Sequence, residues 1–159
     1  MAVYFVINKT LDYDYSLIAT DCSVDDYTRI GEYLDRGVFT FNGNLSSPFL
    51  IYTNLCSEDY DGYHYEKVFY LQNTSIDKFL FITVNADRPM IVTVIGECYE
   101  NYQYVELALY NEDKAILNYY HCPYNIIDEY VFEITEPGTY YISPILNCIR
   151  IYSLNVTYI

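Results

Sequence analysis

The chain predicts an all-β fold: a single-domain antiparallel β-sandwich, jelly-roll-like, with about ten strands and little helix. Three observations carry this. Among its 159 residues are 22 Tyr and 8 Phe but no Trp, side chains that favour pleated, half-buried surfaces. Short apolar or alternating runs recur at roughly ten-residue spacing, separated by clusters of turn formers, the pattern of sandwiches and jelly rolls. Runs with helical periodicity that would cross between parallel strands are missing. The length suits one domain, and an apolar fraction of 52% is ample for one core.

Taken in order, residues 2–7 are continuously apolar. Residues 11–17 alternate, with Leu11, Tyr13, Tyr15 and Leu17 on one face and Asp12, Asp14 and Ser16 on the other. Residues 24–34 hold the one plausible helical turn, where Val24, Tyr27, Ile30 and Leu34 fall near helical spacing. Further strands are expected over 37–41, 49–53, 66–71, 78–84, 90–95, 102–110, 115–119, 129–134, 139–143 and 149–158. Breaks fall at Asn42-Gly43, 57–62, 85–89, 111–114 and Glu136-Pro137-Gly138, all rich in turn formers. No linker, low-complexity tract or internal repeat divides the chain, so residues 1–159 read as one domain, with 1–10 a candidate N-terminal donor strand and hinge.

Twenty-two acidic residues against eight basic ones give a formal charge of −14. Such a surface repels phosphate backbones and anionic headgroups, which argues against nucleic acid and membrane partners. The opening apolar run is too short for a signal peptide or a membrane span. Five cysteines, Cys22, Cys56, Cys98, Cys122 and Cys148, are widely spread, and the two histidines, His64 and His121, are far apart. That spacing does not make a tetrahedral zinc site. The cysteines are disulfide candidates, an odd count leaving one thiol for a second chain, and buried reduced cysteines are the competing reading.

Catalytic signatures are absent: there is no Gly-x-Ser-x-Gly, no phosphate-cradling glycine loop and no His-Glu-x-x-His. No resident cofactor is expected; one acidic turn is a candidate calcium loop, with a plain solvated acidic hairpin as the competing reading. Asp59-Tyr60-Asp61-Gly62 places two oxygen ligands at a bend that glycine permits, with Glu58 and Glu66 as further ligand candidates. Four glycosylation sequons begin at Asn8, Asn44, Asn73 and Asn155, against roughly one or two by chance. They point toward an exported, glycosylated surface protein. The tyrosine-rich stretches 60–70 and 99–104 could stack a sugar or a protein partner, although in so tyrosine-rich a chain cross-strand packing is the default.

Three stretches carry a family resemblance. Residues 67–84 (KVFYLQNTSIDKFLFITV) form an aromatic strand, a polar turn and an apolar strand. Residues 105–117 (VELALYNEDKAIL) form an apolar strand ending in tyrosine and an acidic turn. Residues 130–142 (YVFEITEPGTYYI), followed by the 149–158 strand, form a closing hairpin around Pro-Gly. From about residue 38 to 158 the chain resembles the β-sandwich modules of the bacterial and archaeal pre-peptidase C-terminal type. The resemblance implies a sandwich fold. It is also similar, more faintly, to jelly-roll appendage subunits with an N-terminal connector.

Two functions of different class follow. The first is a structural subunit of an extracellular or surface assembly (a filament, appendage or virion component), a homo-oligomer or polymer joined by strand exchange. Residues 2–7, with Val3, Phe5 and Ile7 as assembly residues, have no polar face and would be buried in a neighbour's sheet, with residues 8–10 as hinge; a central strand in the chain's own core is the competing reading. The alternative is a monomeric extracellular binding module for glycan or calcium.

Overall fold

The computed structural model describes residues 13–21, 34–42, 52–73, 81–98, 104–145 and 147–159. These form twelve strands in two antiparallel sheets of six, so the expected sandwich is what the chain adopts. Sheet A runs β10 (Asp128–Ile134), β7 (Met90–Cys98), β12 (Asn147–Tyr158), β5 (Tyr63–Asn73) and β4 (Tyr52–Tyr60), with β1 (Tyr15–Ile18) also beside β12. Sheet B runs β2 (Leu34–Arg36), β3 (Phe39–Asn42), β6 (Phe81–Ala86), β11 (Gly138–Pro144), β8 (Tyr104–Tyr110) and β9 (Ile116–Pro123). Helix among the described residues is confined to one 3-10 turn, Ala19–Asp21. The Thr20 hydroxyl in that turn accepts from the Glu66 and Lys67 amides at 3.0 and 3.3 Å, capping the stretch of β5 that has left β12.

Alternation decides which side chains meet between the sheets. Sheet A contributes Phe69, Leu71, Val92, Val94, Phe132, Ile134, Ile149, Ile151, Leu154 and Val156, and sheet B contributes Phe39, Phe41, Ile82, Val84, Leu107, Leu109 and Ile142. All are essentially excluded from water. Phe41 and Phe69 join the sheets ring to ring, with centroids 4.9 Å apart. At roughly 1.5–3 kcal/mol for each large apolar side chain removed from water, this interior dominates the stability of the fold.

β12 is the longest strand and the centre of sheet A. It pairs with β7 on one side and with β5 and then β1 on the other. A bulge at Ile151/Ser153 lets β12 change partners. Opposite the bulge stands Gly96, where an added Cβ would lie 2.7 Å from the Arg150 carbonyl oxygen. Glycine sits there because the two backbones approach too closely for a side chain.

The element boundaries differ most from expectation at two hairpins. The polar run 57–62 reads as a loop, yet β4 continues to Tyr60 and only Asp61 and Gly62 turn. Both have positive φ, 51° and 81°, the two-residue hairpin turn whose twist matches the flanking strands. The single strand expected at 37–41 is a hairpin, β2 and β3, closed at Gly37-Val38. The helical turn expected at 24–34 lies outside the described residues except for Leu34, which is in β2. The donor-strand residues Val3, Phe5 and Ile7 lie outside them as well.

Candidate functional site

The acidic turn is a rigid hairpin. Cross-strand pairing sets Tyr60 against Tyr63, Asp59 against His64 and Glu58 against Tyr65. Glu58 and Asp59, adjacent on an extended strand, therefore face opposite ways. Asp59 is answered by His64, whose Nδ1 lies 2.6 Å from its Oδ1. Asp61 occupies the turn, and Glu66 lies beyond it on β5. Among the described residues no three of His, Cys, Asp and Glu gather closely enough to hold a metal ion.

The tyrosines of this hairpin turn inward. Tyr65, Tyr152, Val68, Ile95 and Ile18 make a second small core on the outer side of sheet A, with Tyr60, Tyr63 and Cys56 packed against it. Tyr65 lies 4.5 Å from Tyr63 and 5.1 Å from Tyr152, centroid to centroid. Burial pushes the Tyr65 hydroxyl up to about 12. Tyr152 donates to Glu97, and the Arg150 guanidinium stands 3.5 Å from the same carboxylate oxygen, a charge pair almost entirely out of water. The stretch 60–70 is therefore packing, as the default reading has it.

Cys56, Cys98, Cys122 and Cys148 stand as thiols, while Cys22 lies outside the described residues. Cys98, Cys122 and Cys148 are fully buried. Burial pushes Cys56 and Cys122 up to about 11, so they are protonated at neutral pH and behave as small apolar groups. Of the sequons, Asn8 and Asn44 lie outside the described residues and Asn73 closes β5. Asn155 is corrected: it is fully buried in β12, and its amide donates to the Thr93 carbonyl at 3.2 Å and to Ser153 at 3.0 Å. That nitrogen has no room for a glycan in the folded chain.

What sequence reading missed is the outer face of sheet B. Where Ile82, Val84, Ile142, Leu107 and Leu109 point inward, their neighbours must point out. Register then aligns Thr40, Thr83, Tyr141 and Tyr110 in one row across β3, β6, β11 and β8. A second row aligns Ser143, Ala108 and Tyr119 across β11, β8 and β9, and Glu106 faces His121 beyond it. Phe81 packs edge-on against Tyr141 at 4.7 Å, with the Lys114 ammonium 6.0 Å from its ring centre. Tyr119 stands edge-on to His121 at 5.7 Å, and the His121 ring lies 3.4 Å from the Glu106 carboxylate.

Two aromatic stations result, Phe81 with Tyr141 and Tyr119 with His121. They are separated by the small, fully buried Ser143 and Ala108. β11 and β9 are two strands apart, so the stations are roughly 10 Å from each other. Around them stand polar groups that can donate or accept: the half-exposed Glu106, the exposed His121 and, at the far end, Asn85, which donates to Thr40 at 3.2 Å. Asn85 and Thr139 continue into an open cleft of about 300 Å³ lined also by Ala86, Asp87 and Gly138. Such a face offers apolar ring surfaces beside amide, hydroxyl and carboxylate groups. The alternation that builds it is written in the sequence at 81–86, 105–110 and 139–143; the strand order that assembles it is not.

No protein-family model matches the chain, and no curated protein is similar to it. Solved structures of similar fold include the CBM22-1 xylan-binding domain of Xyn10C from Paenibacillus barcinonensis, with a TM-score of 0.53 at 6% identity over 91% of this chain and 92% of that one. They include also the CBM22-1–GH10 modules of Clostridium thermocellum endo-1,4-beta-D-xylanase 10B, complexed with xylohexaose. There the TM-score is 0.52 at 11% identity, over 85% of this chain and 29% of that one. At these identities the likeness is one of fold: the chain shares a β-sandwich with carbohydrate-binding modules.

Proposed function

We propose that the chain is a non-catalytic glycan-binding module of an exported or surface-located protein, and that it binds through the outer face of sheet B. The observation that carries this is the pair of aromatic stations set among amide, hydroxyl and carboxylate groups. Pyranose rings present flat C–H faces that stack on aromatic side chains, while their hydroxyls need donors and acceptors at the rim. A net charge of −14 favours a neutral saccharide over a sulfated or uronic one. The sandwich shared with a xylan-binding domain supports the class and leaves the sugar open. The strand-exchange reading rests on residues 2–7, and nothing in the described structure favours it over this one.

Affinity electrophoresis in gels cast with soluble xylan, β-glucan, mannan or starch tests the reading. Retardation by at least one neutral polysaccharide is expected. Tyr119→Ala and Tyr141→Ala should each relieve it by about two- to twelvefold, the worth of one stacked aromatic, with unchanged circular dichroism. Migration unaffected by every polysaccharide, or retardation that neither variant changes, would remove this face as the site.

A further inference from the structure

We infer that the cleft beyond Tyr141 is a third sugar position, so that the face takes a linear neutral glycan laid obliquely across sheet B, with one of its sugars seated among Asn85, Asp87 and Thr139. The inference rests on the glycan reading of this face and adds to it a site, a direction and a minimum chain length. Register supplies the direction. Thr139, Tyr141 and Ser143 are the outward positions of β11, and each belongs to a different row across the sheet. Thr139 pairs with Asn85 in the first row. Tyr141 stands between Thr83 and Tyr110 in the second. Tyr119 falls in the third, joined to Ser143 through Ala108. The cleft and Tyr119 thus lie on opposite sides of Tyr141, and the three positions follow one diagonal. Thr139 and Tyr141 are two residues apart on one strand, roughly 7 Å. A pyranose stacked on Tyr141 therefore has its neighbour over the cleft.

The cleft suits hydroxyl groups rather than a ring face. At about 300 Å³ it lies at the small end of ligand pockets, with room for one sugar. Its floor is the pair of cross-strand partners that start the β6–β11 ladder, Ala86 with Gly138 and Asn85 with Thr139, and Asp87 adds a carboxylate. The Asn85 side chain donates to Thr40 at 3.2 Å and keeps its amide oxygen as an acceptor. One Asp87 oxygen faces the Arg88 guanidinium at 3.5 Å, and a carboxylate accepts at both oxygens. Thr139 can donate and accept. Carboxylate, amide and hydroxyl together match the vicinal hydroxyls of a sugar, and the carboxylate disfavours an anionic one. Both lips are held before any ligand arrives. The turn ahead of β11 is tied by the Tyr140 hydroxyl, which donates to the Glu136 carbonyl at 2.9 Å. The turn after β6 is pinned by Arg88, whose guanidinium lies 4.0 Å over the Tyr158 ring. A seat ordered in advance lowers the cost of binding.

Calorimetric titration with xylo-, cello-, manno- and malto-oligosaccharides, from disaccharide to hexasaccharide, tests it. In at least one series affinity should rise with length and level off once the chain reaches from Tyr119 to the cleft, at about four sugars by the strand and residue spacings. Asp87→Ala and Thr139→Val should each weaken hexasaccharide binding by about two- to twelvefold, the worth of one net hydrogen bond, with unchanged circular dichroism. On wild-type protein alone, the amide signals of Ala86 and Gly138 should move when the hexasaccharide is added. Binding that Tyr141→Ala weakens but that is equal for disaccharide and hexasaccharide overturns the cleft position and spares the glycan reading. Hexasaccharide binding that neither Asp87→Ala nor Thr139→Val alters does the same. Absence of binding at every length in all four series overturns both.

Discussion

The hydroxyl of Tyr120 donates to the carbonyl of Val131 at 2.6 Å, a bond from the end strand of one sheet to the end strand of the other. Tyr120 points inward from β9, with its ring 5.3 Å from Phe132 and 5.9 Å from Tyr130, both on β10. One side chain thus closes the side of the sandwich where the ladders of both sheets stop. The carbonyl it satisfies belongs to a strand that ends sheet A.

Tyr120→Phe keeps the ring and removes this bond. A loss of about 0.5–1.5 kcal/mol is expected. It should be read as a lower urea midpoint at unchanged m-value. A midpoint equal to that of the wild type would mean that water replaces the tyrosine without cost.

Gly96→Ala tests the close approach at the β12 bulge. The new methyl would meet the Arg150 backbone oxygen at 2.7 Å, and a backbone atom in a central strand cannot rotate aside. The expected cost is about 1–3 kcal/mol, the range for overpacking a well-filled interior. A neutral result would show that the bulge is free to slide.

The Glu97–Arg150 pair should behave as a coupled unit. Arg150→Met leaves a carboxylate 3% exposed with only the Tyr152 hydroxyl as its partner among the contacts described above, and a loss of about 3–5 kcal/mol is expected. Glu97→Gln combined with Arg150→Met should cost less than the sum of the two single changes. Strict additivity in a double-mutant cycle would separate the two residues.

Alkaline pH should unfold the protein through its buried tyrosines. Burial pushes Tyr65 up to about 12, and pushes Tyr130 and Tyr152 up further. In the unfolded chain each would lose its proton near pH 10. Above that pH the folded state therefore holds more protons, and stability falls as pH rises. It is fully present below pH 10 and lost through the Tyr65 value, at up to about 1.4 kcal/mol per pH unit for each buried hydroxyl. Urea midpoints should be unaffected by these groups from pH 7 to 9 and drop steeply above 10. A midpoint that holds to pH 12 would contradict the burial of these hydroxyls.

Much of the sandwich is legible in the sequence because the strands of sheet B alternate cleanly. Phe81, Thr83 and Asn85 against Ile82, Val84 and Ala86 need only the two-residue period. Two kinds of residue escape that rule. Glu58 and Asp59 look like loop residues because they are acidic, yet a hairpin strand with one solvated face carries charge at little cost, and the turn needs only two positive φ values. Asn155 looks like a surface sequon because it is polar. It is buried because β12 has a neighbour on both sides and a second small core above it, a long-range fact that no local window contains. The candidate glycan face escapes for the same reason, since Phe81, Tyr141 and Tyr119 come together only through the order of β6, β11, β8 and β9.

The position of β12 has a consequence for how the molecule is made. Sheet A is organised around a strand that follows all the others in sequence, with β7, β5 and β1 waiting for it on either side. A ribosome emits β5 and β7 several seconds before residues 147–158, at the usual 5–20 residues per second. Until β12 emerges, both strands present bare apolar edges, and pairing across such sequence distances is slow even afterwards. Sheet A can therefore close only after residues 147–158 have emerged to fill the gap between β7 and β5.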